Sequence, residues 1–174
     1  MTIDNYSDFP LEEVVRLRIG VAEDVEFSLN LRVPSWANGN NTILVNGNLT
    51  NVNMKPNTWA VLNRKWSNND TIEISFPFNL VFVPVDKKYQ NIAALRYGPM
   101  VLVGDEMADF NGDMKKPDEW IEPIEGELYT FRSKPGYKNP YDFTQVTFKP
   151  YYSVPEHEWY YMYFLFSDKK YTRV

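Results

Sequence analysis

The stretch that decides the fold is residues 14–33, VVRLRIGVAEDVEFSLNLRV. In its first half the apolar residues Val15, Leu17 and Ile19 alternate with Arg16 and Arg18. Residues 25–33 repeat the same alternation of apolar and polar side chains. A period of two is typical of strands that bury one face. We therefore predict two strands here, and the short AEDV connection between them favours an antiparallel hairpin.

Turn signals and further alternation continue through the next forty residues. Asn46-Gly47 is a strong tight-turn signal, because both residues tolerate positive φ at little cost. SNND at 67–70 is a second turn, and residues 71–76 again alternate. Strands separated by turns about every 8–12 residues, without a helical period, indicate a β-sandwich. The predicted fold is all-β: an antiparallel, jelly-roll-like β-sandwich with an irregular C-terminal extension that adds further strands.

The most apolar stretch, NIAALRYGPMVLVGDE at 91–106, contains a Gly98-Pro99 step that would break a helix. Residues 100–103 suit a short strand that is buried on both faces. Residues 105–142 are rich in charge, Pro and Gly, and two final strands follow them. We predict a β-sandwich over 1–104. Residues 105–174 are predicted to form an irregular segment with C-terminal strands that packs on the first sandwich or forms part of a second.

Composition excludes several classes of function. The 174 residues carry a net charge of −5 with both signs mixed, so there is no basic stripe for nucleic acid. The absence of cysteine excludes disulfides, thiolate metal ligands and a cysteine nucleophile within the sequence. The N-terminus lacks an apolar signal core, and no run approaches the ~18 apolar residues of a membrane span. The sequence predicts no compartment; a periplasmic or extracellular location would follow if the parent protein is secreted.

Candidate catalytic groups are few. The carboxylate pairs Asp105 with Glu106 and Glu156 with Glu158 are the ones that glycoside cleavage would need. Both pairs lie in polar, turn-like segments without an apolar pocket to raise a pKa. His157 is the only histidine and lies in the same kind of turn. We predict no catalytic residue in this sequence.

A cation site is the second chemistry to weigh. DFNGD at 109–113 offers oxygen ligands around a glycine, as calcium loops do. It lacks the later ligands and the closing glutamate of an EF-hand, so an ordinary turn is the default. No metal and no cofactor is predicted.

Aromatic residues are the strongest candidates for binding, since they form 16% of the chain. Flat exposed rings beside polar side chains are what a sugar-binding sandwich requires. Trp120, Tyr137 and Tyr141 lie in the irregular segment and are the predicted carbohydrate-contacting residues. The tryptophans inside strands or at strand ends are instead assigned to the core or its edge: Trp36, Trp59 and Trp66.

Several of these stretches, in this order, resemble the region after the catalytic barrel in the β-L-arabinofuranosidase family, glycoside hydrolase family 127 (GH127), once called DUF1680. LRVPSWA and LRYGPMVLVG are the most specific. The stretches are FSLNLRVPSWA (27–37), LVNG (44–47), WAVLNRKWSNNDTIEISFPF (59–78) and AALRYGPMVLVG (93–104), with DFPLEEVVRLRI (8–19) similar to the link leaving the barrel and PYYSVPEHEWYYMYF (150–164) similar to the C-terminal segment.

In that family an (α/α)6 barrel carries the chemistry, with a cysteine nucleophile in a zinc site of cysteines and a glutamate, and two β-sandwich domains follow. None of the catalytic or zinc residues can be carried onto a sequence without cysteine. The resemblance implies a non-catalytic accessory region whose partner is the barrel. Dimerisation is a further role expected of the same region, and an autonomous carbohydrate-binding module for arabinose-containing glycans is the alternative. The irregular 105–142 segment is then predicted to pack on the barrel or on a second subunit.

Overall fold

The computed structural model describes residues 1–137 and 145–167, and almost all of its regular structure is β. Helical structure in the described ranges is limited to two 3-10 turns, Pro117–Glu119 and Tyr151–Ser153, and no helix there is long and apolar enough to cross a membrane. The predicted all-β fold class is confirmed. The strands are β1 (Thr2–Asn5), β2 (Val14–Gly20), β3 (Val25–Val33), β4 (Thr42–Val45), β5 (Asn48–Leu49), β6 (Thr58–Trp66), β7 (Thr71–Ser75), β8 (Leu80–Pro84), β9 (Ile92–Tyr97), β10 (Met100–Gly104), β11 (Asp109–Phe110), β12 (Ile121–Pro123), β13 (Phe131–Ser133), β14 (Thr147–Pro150) and β15 (Phe164–Phe166).

The chain divides into two compact units, Met1–Phe78 and Asn79–Val174. This division differs from the predicted boundary between residues 104 and 105. The strands β8, β9 and β10 pair with strands of the C-terminal part and with one another. They therefore belong to the second unit.

The first unit is a two-layer sandwich. One sheet has the order β1-β2-β7-β4-β5, and the other consists of β3 and β6. Ile19 and Ile72 from the first sheet meet Val33, Leu62 and Trp66 from the second in one buried cluster. The alternation that marks these strands in the sequence thus places their apolar side chains between the two layers.

The predicted hairpin between β2 and β3 is wrong. β2 pairs with β1 and β7, whereas β3 pairs with β6 from Val25↔Trp66 to Val33↔Thr58. The connection at 21–24 therefore crosses from one sheet to the other. The two strands face each other across the core, because both have an apolar face to bury. By contrast, the Asn46-Gly47 turn closes the β4–β5 hairpin as predicted, with φ of 50° and 77°.

The described part of the second unit forms one curled eight-stranded sheet, in which only the β11–β15 pair is parallel. β9 lies at its centre. β8 pairs along one edge of β9, while β10 and β15 share the other edge. β14, β13 and β12 continue the sheet from β10. Its core is strongly aromatic and includes Phe82, Phe110, Trp120, Phe148, Phe164 and Phe166.

The segment after residue 105 is part of this core. Phe110, Trp120, Ile121 and Phe131 are all buried in the cluster of the second unit. The described part of the segment thus belongs to the second unit, and packing of 105–142 on the barrel or on a second subunit stays a prediction. The sequence did not predict the strands of this segment, because strands of only two or three residues are too short to show an alternation of apolar and polar side chains.

Candidate functional site

The predicted carboxylate pairs serve structural roles. Asp105 accepts a hydrogen bond at Oδ1 from the backbone N of Thr147 at 3.0 Å. Glu158 pairs with Lys149 at 2.8 Å between Oε2 and Nζ. Glu156 and His157 are exposed in the turn between β14 and β15. Asp105, Glu156 and Glu158 are exposed, which is the solvated setting that the sequence indicated.

The DFNGD loop is a turn in which the two carboxylates have separate partners. Asp109 accepts from the hydroxyl of Ser167 at 2.9 Å, and Asp113 accepts from the backbone N of Lys115 at 2.8 Å. Within residues 1–137 and 145–167, no group of three or more His, Cys, Asp or Glu side chains could hold a metal ion. The glycine of the loop has another role: a Cβ on Gly112 would clash with the Trp120 ring.

Trp120 is a core residue, and the expectation of an exposed ring there is corrected. It is 1% exposed and stacks on Phe82, with ring centroids 5.5 Å apart and planes 4° from parallel. Its Nε1 donates to the carbonyl of Asp113 at 3.0 Å. A ring so enclosed offers no free face on which a sugar can stack.

Tyr137 is half-buried and stacks on Trp120 at 5.8 Å between centroids, while the third predicted residue, Tyr141, lies outside the described residues. The backbone N of Asn111 donates to the carbonyl of Tyr137 at 3.0 Å. Asn111 also lines an open depression of about 470 Å³ with Gln90, Asn91 and Lys115. Carbohydrate contact by Tyr137 and Tyr141 stays a prediction.

Of the tryptophans assigned to structure, two are placed as expected. Trp66 is fully buried and donates from Nε1 to the carbonyl of Phe27 at 3.1 Å. Trp36 packs at the edge of the first core, with its ring centroid 5.7 Å from that of Phe76. Trp59 is different: it is 59% exposed on the outward face of β6, where it borders a depression with Asn30. Its assignment to the core was therefore wrong, because β6 buries Ala60 and Leu62 instead.

Sequence reasoning missed Trp159, which is 91% exposed. It lies in the segment PEHEWYYMY, whose density of aromatic residues was the available signal. Other aromatic side chains around β14 and β15 are also exposed to a large extent: Tyr151, Tyr152, Tyr160 and Tyr163.

The second unit carries an apolar outer face, opposite its core. Along β8, β9 and β15, the residues between the buried ones point to this side because successive side chains alternate. Cross-strand pairs continue across the face: Val83 opposes Ala94, and Ile92 opposes Leu165. We define the outer face by its six apolar residues: Val81, Val83, Ile92, Ala94, Val101 and Leu165.

Arg96 lies within the outer face, with Val81 opposite on β8 and Val101 opposite on β10. The side chain is half-buried, and this burial lowers the pKa of its guanidinium from the ordinary value. No carboxylate of the described part of the chain forms an ion pair with Arg96. A desolvated cation without a counter-ion in an apolar sheet face is unusual for a surface residue. Residues 100–103 were predicted to form a strand buried on both faces, but Val101 is 36% exposed, and the part played by Arg96 was missed.

Comparison with solved structures shows that this fold recurs in larger enzymes. A structure titled "Glycoside hydrolase" matches with a TM-score of 0.67 and 18% identity over 95% of this chain and 32% of its own. A GH127 β-L-arabinofuranosidase from Geobacillus stearothermophilus T6 matches with a TM-score of 0.69 and 18% identity over 95% and 30%. Another GH127 β-arabinofuranosidase matches with 0.65 and 17% over 95% and 31%. The chain spans about a third of the length of these structures.

The first unit also matches a protein family directly. The family model described as "Beta-L-arabinofuranosidase, GH127 middle domain" matches residues 1–78, which are the residues of the first compact unit. A comparison with curated proteins found no significant match. The resemblance predicted from the sequence is confirmed: residues 1–78 match the GH127 middle domain, and the chain has the fold of the corresponding part of GH127-like glycoside hydrolases.

Proposed function

We propose that this chain is a non-catalytic accessory region that supports the catalytic domain of a GH127-like glycoside hydrolase. The observation that carries the proposal is the match of residues 1–78 to a domain described as the middle of a larger enzyme. The matched solved structures are about three times as long as this chain, which leaves room for a separate catalytic domain. The chemistry of the described residues agrees, since their carboxylates are dispersed in turns and ion pairs.

This chain would support the catalytic domain by holding it in place and by raising its stability. A β-scaffold with two aromatic cores presents rigid surfaces, and a catalytic domain that buries apolar area against it gains stability by linkage. Any partner that binds only the folded catalytic domain raises the melting temperature of that domain. Homodimerisation through a different surface is a further role that is compatible with this support.

The test is the thermal stability of a GH127 catalytic domain from the same genome, measured by calorimetry alone and with an excess of this chain. We expect a higher Tm in the mixture and co-elution of the two proteins in size-exclusion chromatography. Bovine serum albumin at equal mass serves as the control for non-specific protection. An unchanged Tm together with separate elution would contradict the proposal.

An alternative is an autonomous carbohydrate-binding module for arabinose-containing glycans. Exposed Trp59, beside Asn30 on the outward face of β6, is the observation that favours it. An exposed indole beside an amide is the arrangement that sugar-binding sandwiches use. Isothermal titration with arabinan separates the two functions, because only the alternative predicts saturable heat that disappears in Trp59→Ala.

A further inference from the structure

We propose that the outer face of the second unit is the docking surface for the catalytic domain, and that Arg96 at its centre receives a carboxylate of that domain. The inference rests on the proposed accessory function and specifies where the partner binds. It moves the expected contact from the irregular 105–142 segment to the sheet formed by β8, β9, β10 and β15.

The first step is the two-sided apolar character of this sheet. Its inner residues, such as Leu95 and Phe82, fill the core of the second unit. Its outer residues are equally apolar, yet Val83, Val101 and Leu165 remain 38%, 36% and 41% exposed. Antiparallel sheets commonly present an apolar face to the core and a polar face to water, so a second apolar face indicates a surface that a partner covers. A contiguous apolar patch of this kind marks an interaction surface.

The second step is the charge. Arg96 lies between Val81 and Val101, so it is already partly desolvated before any partner binds. Covering this face without a counter-ion would bury an unpaired guanidinium at a high cost in free energy. A partner that presents a carboxylate avoids that cost, because a planar guanidinium binds a carboxylate through two parallel hydrogen bonds. The surface therefore selects an apolar partner with an acidic centre.

The third step excludes a second copy of this chain as the occupant. In a two-fold symmetric dimer each outer face would meet an identical one. The two Arg96 guanidinium groups would then share one apolar interface, and like charges brought together there are repelled. The matched enzymes have a large part outside the region that aligns with this chain. We assign that part as the partner that covers the outer face.

The test measures binding of the GH127 catalytic domain from the same genome to this chain by isothermal titration. Arg96→Met removes the charge and keeps the length of the side chain, while Val101→Glu places a competing carboxylate opposite Arg96. Each should weaken binding by about tenfold or more, as expected for the loss of a buried charge pair. The Tm of isolated Arg96→Met should equal or exceed that of the wild type, because an unpaired, desolvated charge is removed. This second readout separates lost docking from lost folding.

Matched controls carry the same changes elsewhere. Arg32→Met, on exposed β3, and Leu128→Glu, in an exposed loop of the second unit, should bind as the wild type does. If the wild type fails to bind, the proposed accessory function fails, and the docking surface with it. If the wild type binds but both outer-face variants bind equally well, only the docking surface is overturned. Self-association of the wild type that Val101→Glu abolishes, without binding to the catalytic domain, would assign the face to a second copy and also overturn the proposal.

Discussion

At the scale of single residues, the five tryptophans show how exposure separates structural from functional roles. Trp66 and Trp120 are buried, Trp36 closes the edge of a core, and Trp59 and Trp159 are largely exposed. The residue type alone does not distinguish the buried tryptophans from the exposed ones. Successive side chains of a strand point to opposite faces, so the alternation of its neighbours predicts whether a residue faces the core. The strands around Trp120 are too short to show this alternation.

A pair of substitutions checks these placements. Trp120→Ala should lower the free energy of unfolding by about 3–5 kcal/mol, because it leaves a large cavity among Phe82, Phe110 and Tyr137. Trp59→Ala should change it by less than about 0.5 kcal/mol, because the ring is mostly exposed. Urea denaturation followed by circular dichroism measures both. Equal losses in the two variants would show that Trp59 is packed rather than free.

At the scale of elements, the turns were predictable but the pairing of strands was not. Asn46-Gly47 specifies its own hairpin, since positive φ at both residues is a local property. The partner of β2 is not a local property. Residues 14–33 give two amphipathic strands equally well as a hairpin or as opposite layers of a sandwich, and the structure has the second arrangement. The unit boundary at residue 78 was missed for the same reason, because strand pairing decides which unit β8 to β10 join.

Asp70 stabilises the first unit by joining two of these turns. Its Oδ1 accepts from Asn46 Nδ2 at 2.7 Å, and its Oδ2 accepts from the backbone N of Ser67 at 2.9 Å. Asp70→Ala should cost about 1–3 kcal/mol, because partly buried donors lose their acceptor. Asp4→Ala, on the exposed strand β1, is the control and should have little effect. Thermal denaturation compares the two, and a smaller loss for Asp70→Ala than for Asp4→Ala would contradict this role.

At the scale of the whole molecule, the sequence predicted the all-β class and the resemblance to the GH127 accessory region. It did not reveal the proposed docking surface. A residue such as Arg96 is ordinary in a sequence and becomes informative only when its cross-strand neighbours are known to be Val81 and Val101. The outer face gives the proposed accessory function a location, because a contiguous exposed apolar surface marks an interaction site.

The central claim is that this chain lacks turnover of its own and contributes by supporting a catalytic domain. The most direct measurement is the hydrolysis of a chromogenic β-L-arabinofuranoside, with zinc present, by this chain, by the GH127 catalytic domain from the same genome, and by their mixture after heating. The account predicts no release of chromophore by the chain alone and more surviving activity in the heated mixture than in the heated catalytic domain alone. Zinc-dependent release of chromophore by the purified chain alone would contradict it.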